Sequence, residues 1–191
     1  MSLLCGNCVG CPTRSRSVMS DIPDEILNEL NGFKVTNVYK KGQTIFYEGN
    51  KPYGVYCLKN GKVKLYKTNA DGKDLIVKLT NGGALVGYRY FFTDEMYATS
   101  AEVIEDTTVC FIDKEKFLDL LKKYPPFSMK LLAMMGDEIK SSEENAAKMA
   151  YNSTNERIVA MLLYLKDTYG IKTDENSYKI DAQLSRNDLA A

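Results

Sequence analysis

Apolar and polar residues alternate in short runs through the middle of the chain, from about residue 33 to residue 112. The runs are rich in Val, Ile, Tyr and Phe, and they include TIFYEG, GVYCLKNGKVKLYKT, DLIVKL and TSAEVIEDTTVCFID. Alternation with a period of two predicts half-buried β-strands. Asn-Gly at 60–61 and Asp-Gly at 71–72 favour tight hairpins, because these residues tolerate a positive φ. The pattern predicts an all-β roll or sandwich.

Apolar residues at helical spacing flank this β segment on both sides. Before it, residues 20–31 predict one short helix, and after it residues 113–121 predict another, which a Tyr-Pro-Pro sequence ends. The longest helix of the chain is predicted to follow. Ser153 and Glu156 then have the spacing of a capping box, so we expect a further helix that ends near Gly170.

The longest predicted helix, 125–152, carries an apolar seam with spacings that alternate between three and four residues. The seam consists of Leu132, Met135, Ile139, Ser142, Ala146 and Met149. This heptad pattern is typical of a helix that pairs with a second helix. A helix that packs only on its own domain usually has a wider apolar stripe. We therefore expect the seam to form a dimer interface, with packing on the chain's own β domain as the alternative.

Three of the five cysteines lie close together near the N-terminus, at Cys5, Cys8 and Cys11. The chain contains no histidine, which excludes mixed cysteine–histidine zinc sites and Rieske clusters. Ferredoxin-type proteins use the run Cys-x2-Cys-x2-Cys for three corners of an iron–sulfur cluster, with a fourth thiolate from elsewhere. A four-thiolate zinc site and reactive thiols are the alternatives. Cys57 lies in a predicted strand without a local partner, and we interpret it as structural.

Composition narrows the function classes. The 191 residues accommodate one good-sized domain, or one domain and part of another. The 25 basic and 25 acidic residues cancel, which argues against a wholly basic nucleic-acid coat protein. The sequence shows neither a membrane span nor a signal peptide, so we expect no membrane partner and a cytoplasmic location. Without histidine, a phosphate loop or a recognisable pair of catalytic carboxylates, we expect a protein that is not an enzyme.

The order of cysteine loop, β-roll, seam helix and small helical domain resembles the CRP/FNR family of transcription regulators. The resemblance is carried by KKGQTIFYEG, YGVYCLKNGKVKLY, DGKDLIVKL, NGGALVG and the closing QLSRNDLAA. It implies an α+β fold, with a cysteine-rich loop at 1–20 and a β-jelly-roll sensor domain of the cyclic-nucleotide-binding type at 21–124. A dimerisation helix at 125–152 and the first part of a winged helix-turn-helix domain at 153–191 follow. We interpret the end of the sequence as a truncation within that last domain.

Family members that bind cyclic AMP use a glutamate and an arginine after the Leu-Val-Gly sequence. Here the glutamate position is Tyr88, and the segment at the arginine position contains no arginine, because Arg89 falls at a different step. We expect no cyclic AMP binding. Tyr88, Tyr90, Phe91 and Phe92 are interpreted as core residues that fill the pocket.

The oxygen-sensing FNR branch is the nearest resemblance, since it also has an aromatic residue after this sequence. That branch binds a four-iron cluster through N-terminal cysteines and a fourth ligand on a strand before the dimer helix, where this chain has Cys110. The resemblance implies a [4Fe–4S] cluster on Cys5, Cys8, Cys11 and Cys110, with zinc as the alternative metal. The gap between the second and third cysteines is shorter here than is general in FNR proteins.

The resemblance further implies a homodimeric DNA-binding regulator that senses oxygen, nitric oxide or redox state, with RNA polymerase as a partner. Ser185, Arg186 and Asn187 match family positions that contact the DNA backbone. The recognition helix is absent from the sequence, so we expect DNA binding only where that helix is present. The alternatives are a CRP/FNR-type regulator with a small-molecule, thiol or zinc switch, and a cyclic-nucleotide-binding module.

Overall fold

The computed structural model describes residues 6–93, 95–175, 177–182 and 184. The chain divides into two compact units. The first contains the described residues up to Met129 together with residue 184, and the second contains Lys130–Ala182.

The first unit is built around two four-stranded antiparallel sheets. Its eight strands are β1 Lys34–Tyr39, β2 Thr44–Phe46, β3 Gly54–Leu58, β4 Lys62–Thr68, β5 Asp74–Asn81, β6 Leu85–Val86, β7 Ser100–Glu105 and β8 Thr107–Asp113. One sheet has the strand order β1-β8-β3-β6 and the other β2-β7-β4-β5. Strands distant in sequence are neighbours in both sheets, which is typical of a jelly roll. The predicted β-jelly-roll of an α+β fold is confirmed.

Apolar side chains from both sheets form one core. Its buried members are Ile45, Phe46, Leu58, Val63, Leu65, Val86, Tyr97, Ala101, Val103 and Val109. Within it Tyr97 stacks on Phe46, with ring centroids 4.1 Å apart. The Tyr97 hydroxyl donates a hydrogen bond to the Gly54 carbonyl oxygen at 3.2 Å, which satisfies its polar end inside the core. Aliphatic and aromatic side chains therefore occupy the interior of the roll.

The two predicted hairpins have different outcomes. Gly72 has φ +76° and lies between β4 and β5, which pair antiparallel, so the hairpin prediction there is confirmed. Gly61 also has a positive φ of +74°, but it lies between β3 and β4, which belong to different sheets. The hairpin prediction at Gly61 is therefore wrong, because a turn dipeptide determines the backbone angles and not which strands pair.

Two helices flank the roll in the first unit, α1 at Asp24–Asn31 and α2 at Lys114–Lys123. The Asp113 carboxylate caps α2 by accepting hydrogen bonds from the backbone N–H groups of Glu115 and Lys116, at 2.9 and 3.4 Å. Helix α2 thus begins directly at the end of β8.

The long helix α3 runs without interruption over Pro125–Tyr151 and crosses from the first unit into the second. The second unit continues with α4 at Thr154–Tyr169 and an antiparallel hairpin of β9 Gly170–Asp174 and β10 Ser177–Ile180. The predicted capping box is confirmed, because the Ser153 N–H donates to the Glu156 carboxylate at 2.7 Å and the Glu156 N–H to the Ser153 hydroxyl at 3.4 Å.

None of the helices within the described residues combines the length and the apolar character that crossing a membrane requires.

Candidate functional site

The loop that carries Cys8 and Cys11 is held by backbone hydrogen bonds. The Cys8 N–H donates to the Asn31 side-chain oxygen at 2.9 Å, and the Cys11 N–H donates to the Cys8 carbonyl at 3.3 Å, which closes a tight turn between the two cysteines. The Arg14 guanidinium forms an ion pair with Asp24 at 2.8 Å. These bonds tie the loop to both ends of α1.

Strand pairing brings two further cysteines together. Cys57 on β3 is directly opposite Cys110 on β8, and Cys110 is in turn opposite Thr36 on β1. Side chains directly opposite each other in an antiparallel pair lie on the same face of the sheet. The Thr36 hydroxyl is 3.6 Å from the Cys110 sulfur. Three neighbouring strands therefore present two thiols and a hydroxyl side by side.

The loop and the sheet enclose one cavity of about 50 Å³, several times the space that one water molecule needs. Its wall includes four cysteines, Cys8, Cys11, Cys57 and Cys110. Three of the four predicted ligands thus converge on one site. The fourth, Cys5, lies outside the described residues.

Positive charge dominates the polar part of this wall. Arg14, Lys34 and Lys59 line the cavity, and among the described lining residues there is no Asp or Glu. Lys34 is 8% exposed, and its ammonium group donates to the Cys8 sulfur at 3.1 Å and to the Gly6 carbonyl at 2.6 Å. The cavity is therefore suited to a group with net negative charge.

The cavity also affects the thiol pKa values. Burial raises the pKa of Cys8, although the hydrogen bond and charge of Lys34 act in the opposite direction. Burial raises the pKa of Cys57 well above its ordinary value, and the neighbouring sulfurs of Cys110, Cys8 and Cys11 add to that rise. The protein alone thus favours neutral thiols at these two positions, and thiolate ligation there would require a bound cation.

The four cysteine sulfurs of the cavity wall are suitable ligands for a metal group that binds thiolates. All four described cysteines are free thiols, the form that ligates after deprotonation. Within the described ranges, however, no three Cys, Asp or Glu side chains are grouped closely enough to hold one metal ion. The sulfurs surround a cavity instead of meeting at a point.

The other predicted residues have mixed outcomes. Tyr88 and Phe91 are buried and Tyr90 is partly buried, but Phe92 is 51% exposed, so its assignment to the core is wrong. Phe92 immediately follows a 3-10 turn, Tyr88–Phe91, which carries it to the surface. Ser185, Arg186 and Asn187 lie outside the described residues.

The six seam residues lie on the single continuous helix α3. Leu132, Ile139 and Met149 are each 59–65% exposed, while Ser142 and Ala146 are exposed and Met135 is partly buried. A helix that leaves such large apolar side chains in solvent offers a face for a second helix. The dimer interface nevertheless stays a prediction.

Sequence reasoning missed two features of the site, Lys34 and the position of Cys57. The sequence indicates only a structural role for Cys57, because this residue has no partner nearby in the sequence. Its neighbours become visible only when β3 is paired with β8. Lys34 gives no signal of its own, since one lysine at the start of a strand usually faces solvent.

Comparison with known proteins supports both the fold and a family assignment. Residues 36–124 match the cyclic nucleotide-binding domain family. The chain is 25% identical over 143 residues to the cyclic AMP receptor protein of Thermus thermophilus, a match that covers 75% of this chain and 66% of that protein. It is 28% identical over 130 residues to the fumarate and nitrate reduction regulatory protein of Vibrio cholerae, covering 68% of this chain and 52% of that protein.

Among solved structures, the chain is similar to the catabolite activator protein of Thermus thermophilus. The TM-score is 0.63 with 22% identity, and the match covers 78% of this chain and 70% of that one. This likeness concerns the fold. The domain match and the two named relatives together support a place for the chain in the CRP/FNR family of regulators.

Proposed function

We propose that this chain is a transcription regulator of the oxygen-sensing FNR branch, with a [4Fe–4S] cluster on Cys5, Cys8, Cys11 and Cys110. The observation that carries the proposal is the convergence of Cys8, Cys11 and Cys110 on one cavity from opposite ends of the first unit's sequence. Its relatives include the fumarate and nitrate reduction regulatory protein of Vibrio cholerae and a protein of Haemophilus influenzae named as an anaerobic regulatory protein.

The charge and spacing of the site support a cluster over a single zinc ion. A cube of iron and sulfide with four thiolates is anionic, and the cations Lys34 and Lys59 offset that charge, whereas Arg14 is already paired with Asp24. One zinc ion draws four sulfurs to about 2.3 Å from a single point, whereas each iron of a cube takes one thiolate at a separate corner. Sulfurs distributed around a cavity fit the second arrangement.

The route from the site to the long helix is short along the chain. Cys110 is three residues before Asp113, which caps α2, and α3 follows α2 after Tyr124. Phe117 of α2 also packs edge-to-face on Phe127 at the start of α3, with ring centroids 5.8 Å apart. A thiolate fixed at Cys110 therefore orders the strand end from which these helices continue.

By resemblance to the FNR branch, the bound cluster supplies the group that oxygen or nitric oxide attacks. With it in place, Cys8 and Cys11 hold the N-terminal loop against the sheet that carries Cys110. Without it, the loop loses its attachment to the sheet through the cysteines and keeps only its hydrogen bonds and ion pair, and the junction from β8 to α2 loses a constraint. A coupling of about 1–3 kcal/mol between the site and helix pairing would change dimerisation about 5- to 150-fold.

We further propose that the protein is a cytoplasmic homodimer that binds DNA. The resemblance to the family implies RNA polymerase as a further partner. The exposed seam of α3 supports the homodimer. The name of the Vibrio cholerae relative as a regulatory protein supports DNA binding. The chain spans 66% of the length of the Thermus thermophilus relative and 52% of that of the Vibrio cholerae relative. As a regulator, the protein would not be an enzyme.

The test is anaerobic purification followed by iron and acid-labile sulfide analysis and a visible spectrum. We expect about four irons per chain and a broad band near 400 nm that is lost in air. Cys8→Ser is expected to remove the band. Ser17→Ala is the matched control, because Ser17 lines the same cavity without supplying a thiol.

Two results would contradict the cluster. Zinc after anaerobic preparation, with neither iron nor sulfide taken up on reconstitution, would favour a zinc switch. A protein that holds no metal under the same conditions would favour a thiol switch or a small-molecule effector. Either result leaves the family membership unaffected.

Cyclic nucleotide binding is the second candidate, because the matched domain family carries that description. Tyr88 occupies the position at which family members that bind cyclic AMP have a glutamate, and it is only 2% exposed. Tyr97 stacks on Phe46 inside the roll. We expect cyclic AMP and cyclic GMP to leave the thermal unfolding midpoint unchanged, and a saturable increase would favour this candidate instead.

A further inference from the structure

A further thiol faces the cavity, that of Cys57, and the proposed ligand set does not include it. Cys57 and Cys110 are directly opposite each other on β3 and β8. Such pairs have Cβ atoms about 4.5–5.5 Å apart on one face of the sheet. Both residues line the cavity together with Cys8 and Cys11. The described residues therefore contribute four thiols, the number that a [4Fe–4S] cluster needs.

We propose that Cys57 is a cluster ligand that can take the place of Cys5, so that Cys8, Cys11, Cys57 and Cys110 complete the site. This inference rests on the proposed function, since it concerns the same cluster. The two four-thiol sets share three members and differ only in the fourth.

In the ligand set that contains Cys57, two ligands come from the N-terminal loop and two come from the sheet. Cys8 and Cys11 come from one loop whose backbone is fixed by Asn31 and by the turn between the two cysteines. Cys57 and Cys110 come from neighbouring strands that sheet hydrogen bonds hold in register. Two loop thiols thus face two sheet thiols across the cavity, and each iron of the cube can take one.

The surroundings of Cys57 also differ from those of a cysteine that serves packing alone. Such a residue needs only apolar neighbours. Cys57 shares a cavity wall with three other cysteines and with the nearly buried ammonium group of Lys34. Ligation through Cys57 would attach the cluster to the sheet at a second point beside Cys110.

The test is a double-mutant cycle on the full chain, reconstituted anaerobically with iron and sulfide. Wild type, Cys5→Ser, Cys57→Ser, the double variant and Cys8→Ser are compared by iron and sulfide per chain and by absorbance near 400 nm. We expect each of the first two replacements alone to lower the iron content at most about twofold. The double variant should lower the iron content at least about tenfold, as is expected also for Cys8→Ser.

A fold control accompanies the cycle. Thermal unfolding of the metal-free forms shows whether a Cys57 variant remains folded, and Cys57→Ala replaces the serine variant if the hydroxyl destabilises the strand. A Cys5→Ser protein as empty as Cys8→Ser would overturn the inference, and so would a double variant that keeps its cluster. A wild-type protein that takes up no cluster would instead contradict the proposed function, and the inference with it.

Discussion

At Lys34 a nearly buried ammonium group donates a hydrogen bond to the Cys8 sulfur at 3.1 Å. Burial raises the pKa of Cys8, and Lys34 opposes part of that rise. In the metal-free protein, Lys34→Met should therefore raise the Cys8 pKa further. Because the thiolate is the reactive form, alkylation of Cys8 by iodoacetamide at pH 8 is expected to become several-fold slower. Peptide mass spectrometry over time measures this rate.

Lys59→Met is the matched control for Lys34→Met. Lys59 lines the same cavity, and the structure shows no bond from it to a cysteine within the described part of the chain. The Cys8 alkylation rate should change little in this variant. If both variants slow alkylation equally, the general positive charge of the wall is responsible and not the Lys34–Cys8 contact. The two variants should converge on wild type at a pH where Cys8 is fully ionised.

Two glycines with the same backbone angle differ in their surroundings. A Cβ at Gly61 would lie 2.2 Å from the Thr107 hydroxyl oxygen and 2.7 Å from the Asp106 carbonyl oxygen, while at Gly72 nothing lies within 4 Å. Gly72→Ala should cost about 1–2 kcal/mol, from the left-handed backbone alone. Gly61→Ala should cost at least about 2 kcal/mol more, because Thr107 or the backbone must move. Urea unfolding measures both, and equal losses would contradict the role of steric overlap.

At the scale of the element, the N-terminus of α4 depends on its capping box. Ser153 and Glu156 bond reciprocally, and these bonds lower the pKa of Glu156. Ser153→Ala should destabilise the first turn by about 1 kcal/mol. Backbone amides of that turn are then expected to exchange with deuterium about fivefold faster. The matched control is Ser141→Ala in the exposed middle of α3, where alanine favours the helix. Unchanged exchange in Ser153→Ala would mean that the cap adds nothing to the turn.

The elements themselves were largely predictable, whereas their partners were not. A period of two identified the strand segments, and the spacing of Ser153 and Glu156 identified the start of α4, because both signals are local. The turn at Gly61 looked identical to the one at Gly72, yet it joins two sheets. Strand β9 at Gly170–Asp174 was missed, since it begins where a helix cap was expected.

The candidate site shows the same division between local and long-range information. Cys8 and Cys11 could be recognised from their spacing, and Cys110 only from the family resemblance. Nothing local indicated that Cys57 would be opposite Cys110, because that pairing depends on the order of strands in the sheet. The burial of Lys34 beside Cys8 likewise depends on where the loop lies.

At the scale of the whole molecule, the proposed switch requires that the seam of α3 pairs two chains. Its large apolar members Leu132, Ile139 and Met149 are exposed in the single chain. Ser142 and Ala146 bury less apolar area than leucine would, so the pairing should be weak enough for a site contribution of about 1–3 kcal/mol to shift it.

Ile139→Glu places a charge in the middle of the seam and should give a monomer. A paired helix would have to bury that carboxylate without a partner, which costs more than a weak seam can offset. Sedimentation velocity measures the oligomeric state, and the iron content is expected to equal that of wild type, because Ile139 does not line the thiol cavity. Lys140→Glu, one position off the seam, is the matched control and should remain dimeric. If Ile139→Glu is still a dimer, the chains associate through another surface and the switch cannot act through this seam. If the variant is a monomer and has also lost its iron, pairing of two chains is needed to hold the cluster.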